Sequence, residues 1–154
     1  MSPIYESAAD RANEEDIVRT VCERMGWDWK HCKKLRQLDP RGWEIRHNDG
    51  VTVRGYLMAM KRNWSHGRGD GYWVSYTKVT ASDNARATSG KGARLAVRFS
   101  DKPDEIWWTQ LCGPYRTTFN GRDDRPNDPK AKEVLAVIEW SDFELVKPPP
   151  SSRP

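Results

Sequence analysis

LDPRGWEIRHNDGVTVRGYLMAMK, running from Leu38 to Lys61, is the stretch on which the fold turns. It reads as an antiparallel hairpin. Asp39 opens a first strand over residues 40–47, Asn48-Asp49-Gly50 supplies turn chemistry, and a second strand runs over residues 51–61. With Asp49-Gly50 as a two-residue loop, Asn48 faces Val51, and the register puts Asp39 opposite Met60, between Ala59 and Lys61. Side chains alternate along a strand, so Ala59 and Lys61 share one face. One end of the hairpin thus gathers an aspartate, a small residue and a lysine.

Before the hairpin, the pattern is helical. Asp10 can cap, Glu14 and Glu15 sit in the first turns, Ile17, Val18, Val21 and Met25 recur at helical spacing, and Gly26 ends the run. Glu14 falls in the middle of the apolar arc. A carboxylate aimed inward is costly unless it meets a partner or a metal, although near a helix start the dipole favours it and solvent still reaches it. After the hairpin comes a Gly-rich loop, Ser65 to Gly71, then a short strand or extended lead-in from Tyr72 to Tyr76. A second helix is expected from Thr77 to Thr88, stopped at Gly90. Ala93 to Phe99 and Glu105 to Leu111 read as paired strands around Asp101-Lys102-Pro103-Asp104. The order α-β-β-(β)-α-β-β predicts an α/β fold, a mixed β-sheet flanked by helices, as one domain over residues 1–146. The tail 147–154, KPPPSSRP, is predicted to be disordered.

At 154 residues the chain can bury its own core. A formal charge of +4 says little by itself, but residues 61–98 hold eight Lys/Arg against two acids, a concentration suited to a polyanion. An ordinary solvated basic face would look the same. Three widely spaced cysteines, without metal spacing, point to a reducing compartment rather than a disulfide framework. No apolar run reaches transmembrane length and no secretion signal opens the chain, so a soluble, cytoplasmic protein without a membrane partner is expected. Most of the eight tryptophans should build the core and its rim, while Trp64 and Trp73 flank the Gly-rich loop and could stack on bases.

Phosphodiester hydrolysis at neutral pH needs an activated water and relief of charge on the phosphate. Mg²⁺ held by carboxylates can supply both, and a nearby lysine can orient the water or stabilise developing charge. Asp39 and Lys61 suit the first ligand and the lysine, Glu14 could support them from the helix, and the Met60 backbone carbonyl is a further possible ligand. Ala59 supplies no side-chain oxygen. Each residue also has an ordinary reading: Asp39-Pro40 initiates turns and Lys61-Arg62 is a common strand end. Asp49 reads as a turn residue, Asp70 as an outside candidate for metal or substrate contact, and the three histidines as surface or loop residues.

Four pieces in order form one pattern: the helix DRANEEDIVRTVCERMG with Glu14, the hairpin with Asp39 and Lys61, YWVSYTK with Lys78 at the start of a helix, and GRDDRPNDP (residues 121–129) followed by EVLAVIEWSDF. Together they resemble small PD-(D/E)xK-type nuclease-like proteins of phage genomes, over nearly the whole chain. The resemblance implies a restriction-endonuclease-like core and cleavage of nucleic acid, DNA in the first reading, with Mg²⁺ or Mn²⁺ as cofactor. It places Glu14, Asp39 and Lys61 at catalytic positions, and Ala59 where the pattern calls for an acid. With the basic stretch, it makes Arg62, Arg68, Lys78, Arg122 and Arg125 candidate nucleic-acid contacts. If the chain is phage-encoded, it would work in the host cytoplasm. Ala59 is then either an engineered knock-out or the mark of a natural pseudo-nuclease. The competing functions are a silenced endonuclease, a degenerate fold that holds nucleic acid or a protein without cutting, and a structural protein whose basic face serves assembly.

Overall fold

In a computed structural model of the chain, the described residues are 8–36, 39–63, 65, 67, 69–120 and 133–147. The hairpin forms, but shorter and in a shifted register. Strand β2 is Trp43–Arg46 and strand β3 is Val53–Arg62. Arg46 pairs with Val53, as a tight turn requires, but Ile45 pairs with Gly55, so Arg54 is an extra residue bulged out of the ladder. Every pair beyond the bulge is offset by one: Trp43 faces Leu57. Asp39 does not open a strand. It lies in a turn, its N–H donating to the Arg36 carbonyl at 2.8 Å and its own carbonyl accepting from the Gly42 N–H at 3.3 Å. The expected position opposite Met60 is therefore corrected, because the bulge and the proline-containing turn both intervene.

The turn is wider than the two-residue loop expected: the Gly50 N–H donates to the His47 carbonyl at 2.9 Å and the Val51 N–H goes to the Asp49 side chain, so Asn48 does not pair with Val51 and His47 and Thr52 close the loop instead. Asp49 accepts from the N–H groups of Val51 and Thr52 and from the Thr52 hydroxyl at 2.7–2.9 Å. These bonds pull its carboxyl from the ordinary 3.8 down to about 2. Its folded value lies below its unfolded one, so its contribution to stability is present above about pH 4 and lost as pH falls towards 2. The melting-temperature gap between the native chain and Asp49→Ala is expected to be constant near neutrality and to close over that range. A gap that persists at the acid end would contradict this.

Helix α1 (Ala8–Met25) precedes the hairpin, and a two-residue strand β1 (Lys33–Lys34) adds to its edge. Strand β4 (Tyr72–Ser75) leads directly into helix α2 (Tyr76–Ser89), which Gly90 ends in the left-handed conformation at φ 77°. Strand β5 (Ala93–Phe99) then pairs with β3 in parallel, as a helical crossover allows, and β6 (Trp107–Gln110) pairs with β5 antiparallel. Strands β7 (Arg116–Asn120), β8 (Glu133–Ile138) and β9 (Glu144–Leu145) complete the order. The result is an α/β fold. One mixed sheet runs β1-β2-β3-β5-β6-β9, and a second, antiparallel, runs β4-β8-β7. Among the described residues no helix is long and apolar enough to cross a membrane.

Two cores lie on the two faces of the larger sheet. Ile17, Val18 and Val21 of α1 pack with Trp43, Leu57 and Ala96 on one face. Met58, Leu95, Val97 and Phe99 meet α2 and the second sheet on the other. The alternation of ARLAVRF explains the split: Leu95, Val97 and Phe99 point one way, Ala96 and Arg98 the other, where Arg98 meets Asp16 of α1 at 2.5 Å. Tyr72, fully buried, ties the second sheet to the first through edge-on contacts with Phe99, Trp140 and Phe143.

Candidate functional site

Strand β2 accompanies β3 only as far as Leu57. From Met58 to Arg62, β3 pairs with β5 on one side, and among the described residues its other edge carries no strand. The Asp39 turn closes against the start of that edge. A Cβ at Gly42 would lie 2.6 Å from the Leu57 carbonyl oxygen, and Gly42 has φ 80°, so only glycine lets the turn approach so closely. Around this half-open edge stand the candidate residues.

Asp39 is held by its own neighbour. Its Oδ1 accepts from the Arg41 N–H and Nε, both at 3.0 Å, and its Oδ2 from Arg41 Nη2 at 2.7 Å. These side-chain hydrogen bonds from Arg41 hold its carboxyl below the ordinary carboxylate range, against a desolvation that would raise it. Arg41 in turn lies 4.6 Å over the Tyr56 ring.

Glu14 does aim inward, and it is partnered. Trp43 Nε1 donates to its Oε1 at 2.7 Å, and the Lys34 ammonium forms an ion pair with the same oxygen. Only 16% of each of the Glu14 and Lys34 side chains is exposed, so removal of either partner would strand a charge. Neither Lys34 nor Trp43 stood out in the sequence. The inward angle of Glu14 demanded some partner, but the choice among distant cations and donors rests on strand pairing: Lys34 is the register partner of Trp43.

Ala59 packs against the α1-side core, two residues along from Leu57, the partner of Trp43. Alternation puts the exposed Lys61 on the same face. Position 59 therefore looks towards the side of the sheet where Trp43, Lys34 and Glu14 meet. Among the described residues no hydrogen bond or ion pair joins Asp39 to Lys61. Arg62 points to the opposite face, where its Nε donates to the Tyr72 hydroxyl at 2.8 Å. Met60 shares that face and packs against the α2-side core.

Lys78 stands in the first turn of α2, half-buried. Desolvation, and then the nearby Arg62 and Lys34, push its ammonium below the ordinary lysine value, while Glu14 and Glu133 oppose the shift. At the start of α2, Ser75 Oγ lies 3.2 Å from Glu133 Oε2. A cation at a helix start costs about 0.3–1 kcal/mol, and desolvation adds to that cost, so the two carboxylates offset it only in part. Lys78→Met is expected to leave stability unchanged or slightly raised. If the ammonium meets a phosphate, the same change should weaken DNA binding uniformly across sequences and flatten the salt dependence by about 0.9 in log–log slope. Thermal melts and titrations at several salt concentrations would check both; a destabilised variant with an unaltered slope would oppose the expectation.

The basic stretch of residues 61–98 does not fold into one patch. Arg86 pairs with Asp83 at 2.9 Å, Arg98 pairs with Asp16, and Arg94 lies at the far end of β5. Arg68, Arg122 and Arg125, together with Trp64 and His66, lie outside the described residues. Asp70 pairs with Arg116 at 3.1 Å, and both side chains are more than half exposed.

The donor set does not fit a divalent metal as it stands. Among the described residues no three His, Cys, Asp or Glu side chains come together as a metal group. Both Asp39 oxygens are occupied by Arg41, Glu14 Oε1 is occupied by Lys34 and Trp43, and position 59 adds no oxygen.

A family model described as phage putative PDDEXK endonuclease matches residues 1–146. No curated protein and no solved structure matches the chain.

Proposed function

The chain belongs to the phage putative PDDEXK endonuclease family, and on that premise we propose a fold built for divalent-metal-dependent cleavage of DNA, silent or crippled here because Ala59 stands at the acidic position. The observation that carries the reading is the placement of residue 59. It shares a face of β3 with Lys61, at an edge left open by β2, towards Glu14 and Lys34. A carboxylate at 59 would add the oxygen that the present set lacks, with Lys61 beside it and the Asp39 turn at the same edge. Nucleases of this kind generally use divalent metals. Mg²⁺, which demands near-ideal octahedral oxygen, has no such set among the described residues, and no step is assigned to it. Arg62 and Lys78, with Arg68, Arg122 and Arg125, are the proposed phosphate contacts.

The test is conversion of supercoiled plasmid by the native chain and by Ala59→Glu, each with Mg²⁺, with Mn²⁺ and with EDTA. Cleavage by Ala59→Glu alone supports the silenced-nuclease reading. Cleavage by the native chain that EDTA stops would overturn the silencing and keep the nuclease. A folded Ala59→Glu that cuts under neither metal would favour the second reading, a nuclease fold that binds nucleic acid without cutting it. That reading draws on the same observation about the carboxylates: both are already committed to internal partners.

A further inference from the structure

At the other end of the sheet, where β3 and β5 begin, a cleft of about 310 Å³ opens between Trp27, which follows α1, and residues 90–92, which follow α2. Its wall reaches Tyr56 and Leu57, against which the Asp39 turn also packs, but none of Glu14, Asp39, Ala59 and Lys61 lines it. Its charge is one-sided. His47, Arg54, Lys91 and Arg94 line it with Trp27 and Trp108, and no aspartate or glutamate does. Among the described residues none of Arg54, Lys91 and Arg94 is in an ion pair, and neither is His47.

The bulge in the hairpin creates the key element. Because Ile45 pairs with Gly55 and Arg46 with Val53, Arg54 has no partner across the ladder, and its side chain is turned over the Trp27 ring, 5.0 Å from the centroid. Its Nε is buried without any hydrogen-bond partner. Arg54 lines the cleft without an ion pair, so its guanidinium can meet an anionic oxygen that enters there. Arg94 lies 4.2 Å over Trp108, and the two indoles are 6.2 Å apart. Bare cations would take any anion. Two guanidiniums stacked on two indoles add flat, polarisable surface of the kind on which nucleobases stack. The volume lies at the small end of ligand pockets and suits a single nucleotide better than a duplex.

We propose that this cleft binds a nucleotide, its phosphate held by Arg54 with His47 and Lys91, and its base packed on the Arg54–Trp27 and Arg94–Trp108 stacks. The nucleotide is either free or the end of a single strand, since both present the same phosphate and base. The site needs no metal and does not depend on the cleavage reading.

The experiment is equilibrium binding to the native chain in EDTA at low salt, with dAMP, deoxyadenosine, inorganic phosphate and a 5′-phosphorylated oligo(dA) as probes. dAMP should bind at least tenfold more tightly than deoxyadenosine or inorganic phosphate. Arg54→Gln and Arg94→Gln should each weaken it about tenfold or more, whereas Lys102→Gln, in the turn between β5 and β6, should not. If Arg54→Gln does not fold, Lys91→Gln and Arg54→Lys carry the same comparison, the second retaining the charge without the planar fork. Tighter binding of the oligonucleotide assigns the site to a strand end, and equal or weaker binding assigns it to the free nucleotide. The proposal is overturned if dAMP binds no better than inorganic phosphate, or if folded Arg94 and Lys91 variants bind like the native chain. Since no metal is present and position 59 is untouched, failure here leaves the nuclease reading standing, and failure of Ala59→Glu to cut leaves this site standing.

Discussion

Ala59→Glu is expected to raise metal-dependent DNA cleavage at least a hundredfold over the native chain, equivalent to about 2.7 kcal/mol of barrier. The expectation rests on the geometry of one strand. Residue 59 faces the α1 side, as Lys61 does, and it sits beyond the point where β2 stops covering β3. A glutamate there gains room at the open edge that it would lack one pair earlier, where Leu57 is 2% exposed and faces Trp43. The substitution has a cost. Ala59 is half-buried against α1 and pairs with Ala96, so a partly desolvated carboxylate should lower stability by about 1–3 kcal/mol, in part offset by the nearby Lys34 and Lys61. Divalent metal should recover part of that loss by binding only the folded state, so the melting temperature of Ala59→Glu, unlike that of the native chain, should rise with Mg²⁺ or Mn²⁺. In the restored chain, Asp39→Ala or Lys61→Ala should remove cleavage. Arg41→Ala, which frees the Asp39 oxygens, should instead strengthen metal binding. A restored chain whose activity is indifferent to Asp39 and Lys61 would show that the site has been misassigned.

The second large effect is structural. Tyr72→Ala should cost about 3–5 kcal/mol, a fall of roughly 6–20 °C for a domain of this size. Tyr72 is fully buried and makes edge-on contacts at 5.7–6.3 Å with Phe99 on the larger sheet and with Trp140 and Phe143. Its loss would open a cavity where the two sheets meet, which neither backbone can close without breaking strand pairs. Tyr72→Phe keeps the ring and removes the hydroxyl that accepts from Arg62 Nε and donates to Met60 Sδ at 3.5 Å, so it should cost about 1 kcal/mol. It would also take one hydrogen-bond partner from Arg62, which keeps its contacts with Met60 Sδ and the ring, and any change in DNA affinity from so small a substitution would report on that arginine. Urea denaturation of both variants separates the two contributions; similar losses for Ala and Phe would mean that the hydroxyl, not the ring, joins the sheets.

Much of the fold was legible because it is local. The spacing of Ile17, Val18, Val21 and Met25 marks α1, and Gly90 ends α2 where a left-handed residue was expected. The Asp49-Gly50 turn and the alternation of ARLAVRF mark strands that the structure contains. Each of these signals is a periodicity or a turn preference that acts over a few residues, and local backbone sterics enforce it whatever the rest of the chain does. The family resemblance was legible for the same reason: its pieces are short motifs in order, and the family model covers the stretch they span.

What lies between the motifs was decided by tertiary structure. A single bulged residue, Arg54, shifts the hairpin register beyond it and so removes Asp39 from the place that turn geometry alone assigned. A register is a sum over all pairs, and one extra residue moves the rest. The choice of Arg41 as the partner of Asp39, and of Lys34 and Trp43 for Glu14, depends on which side chains the folded backbone brings within 3 Å. No spacing rule encodes that distance. Likewise the basic residues between 61 and 98 are regrouped: Arg98 of β5 lies beside Lys61 of β3, whereas Arg94, four residues earlier, lies beside Leu57 towards the other end, because the parallel pairing of two strands joined by a helical crossover sets which residues meet. Chemistry-bearing residue types could be read one by one from the chain; their company was set by long-range packing, where the free energy of burying two cores on one sheet outweighs any local preference.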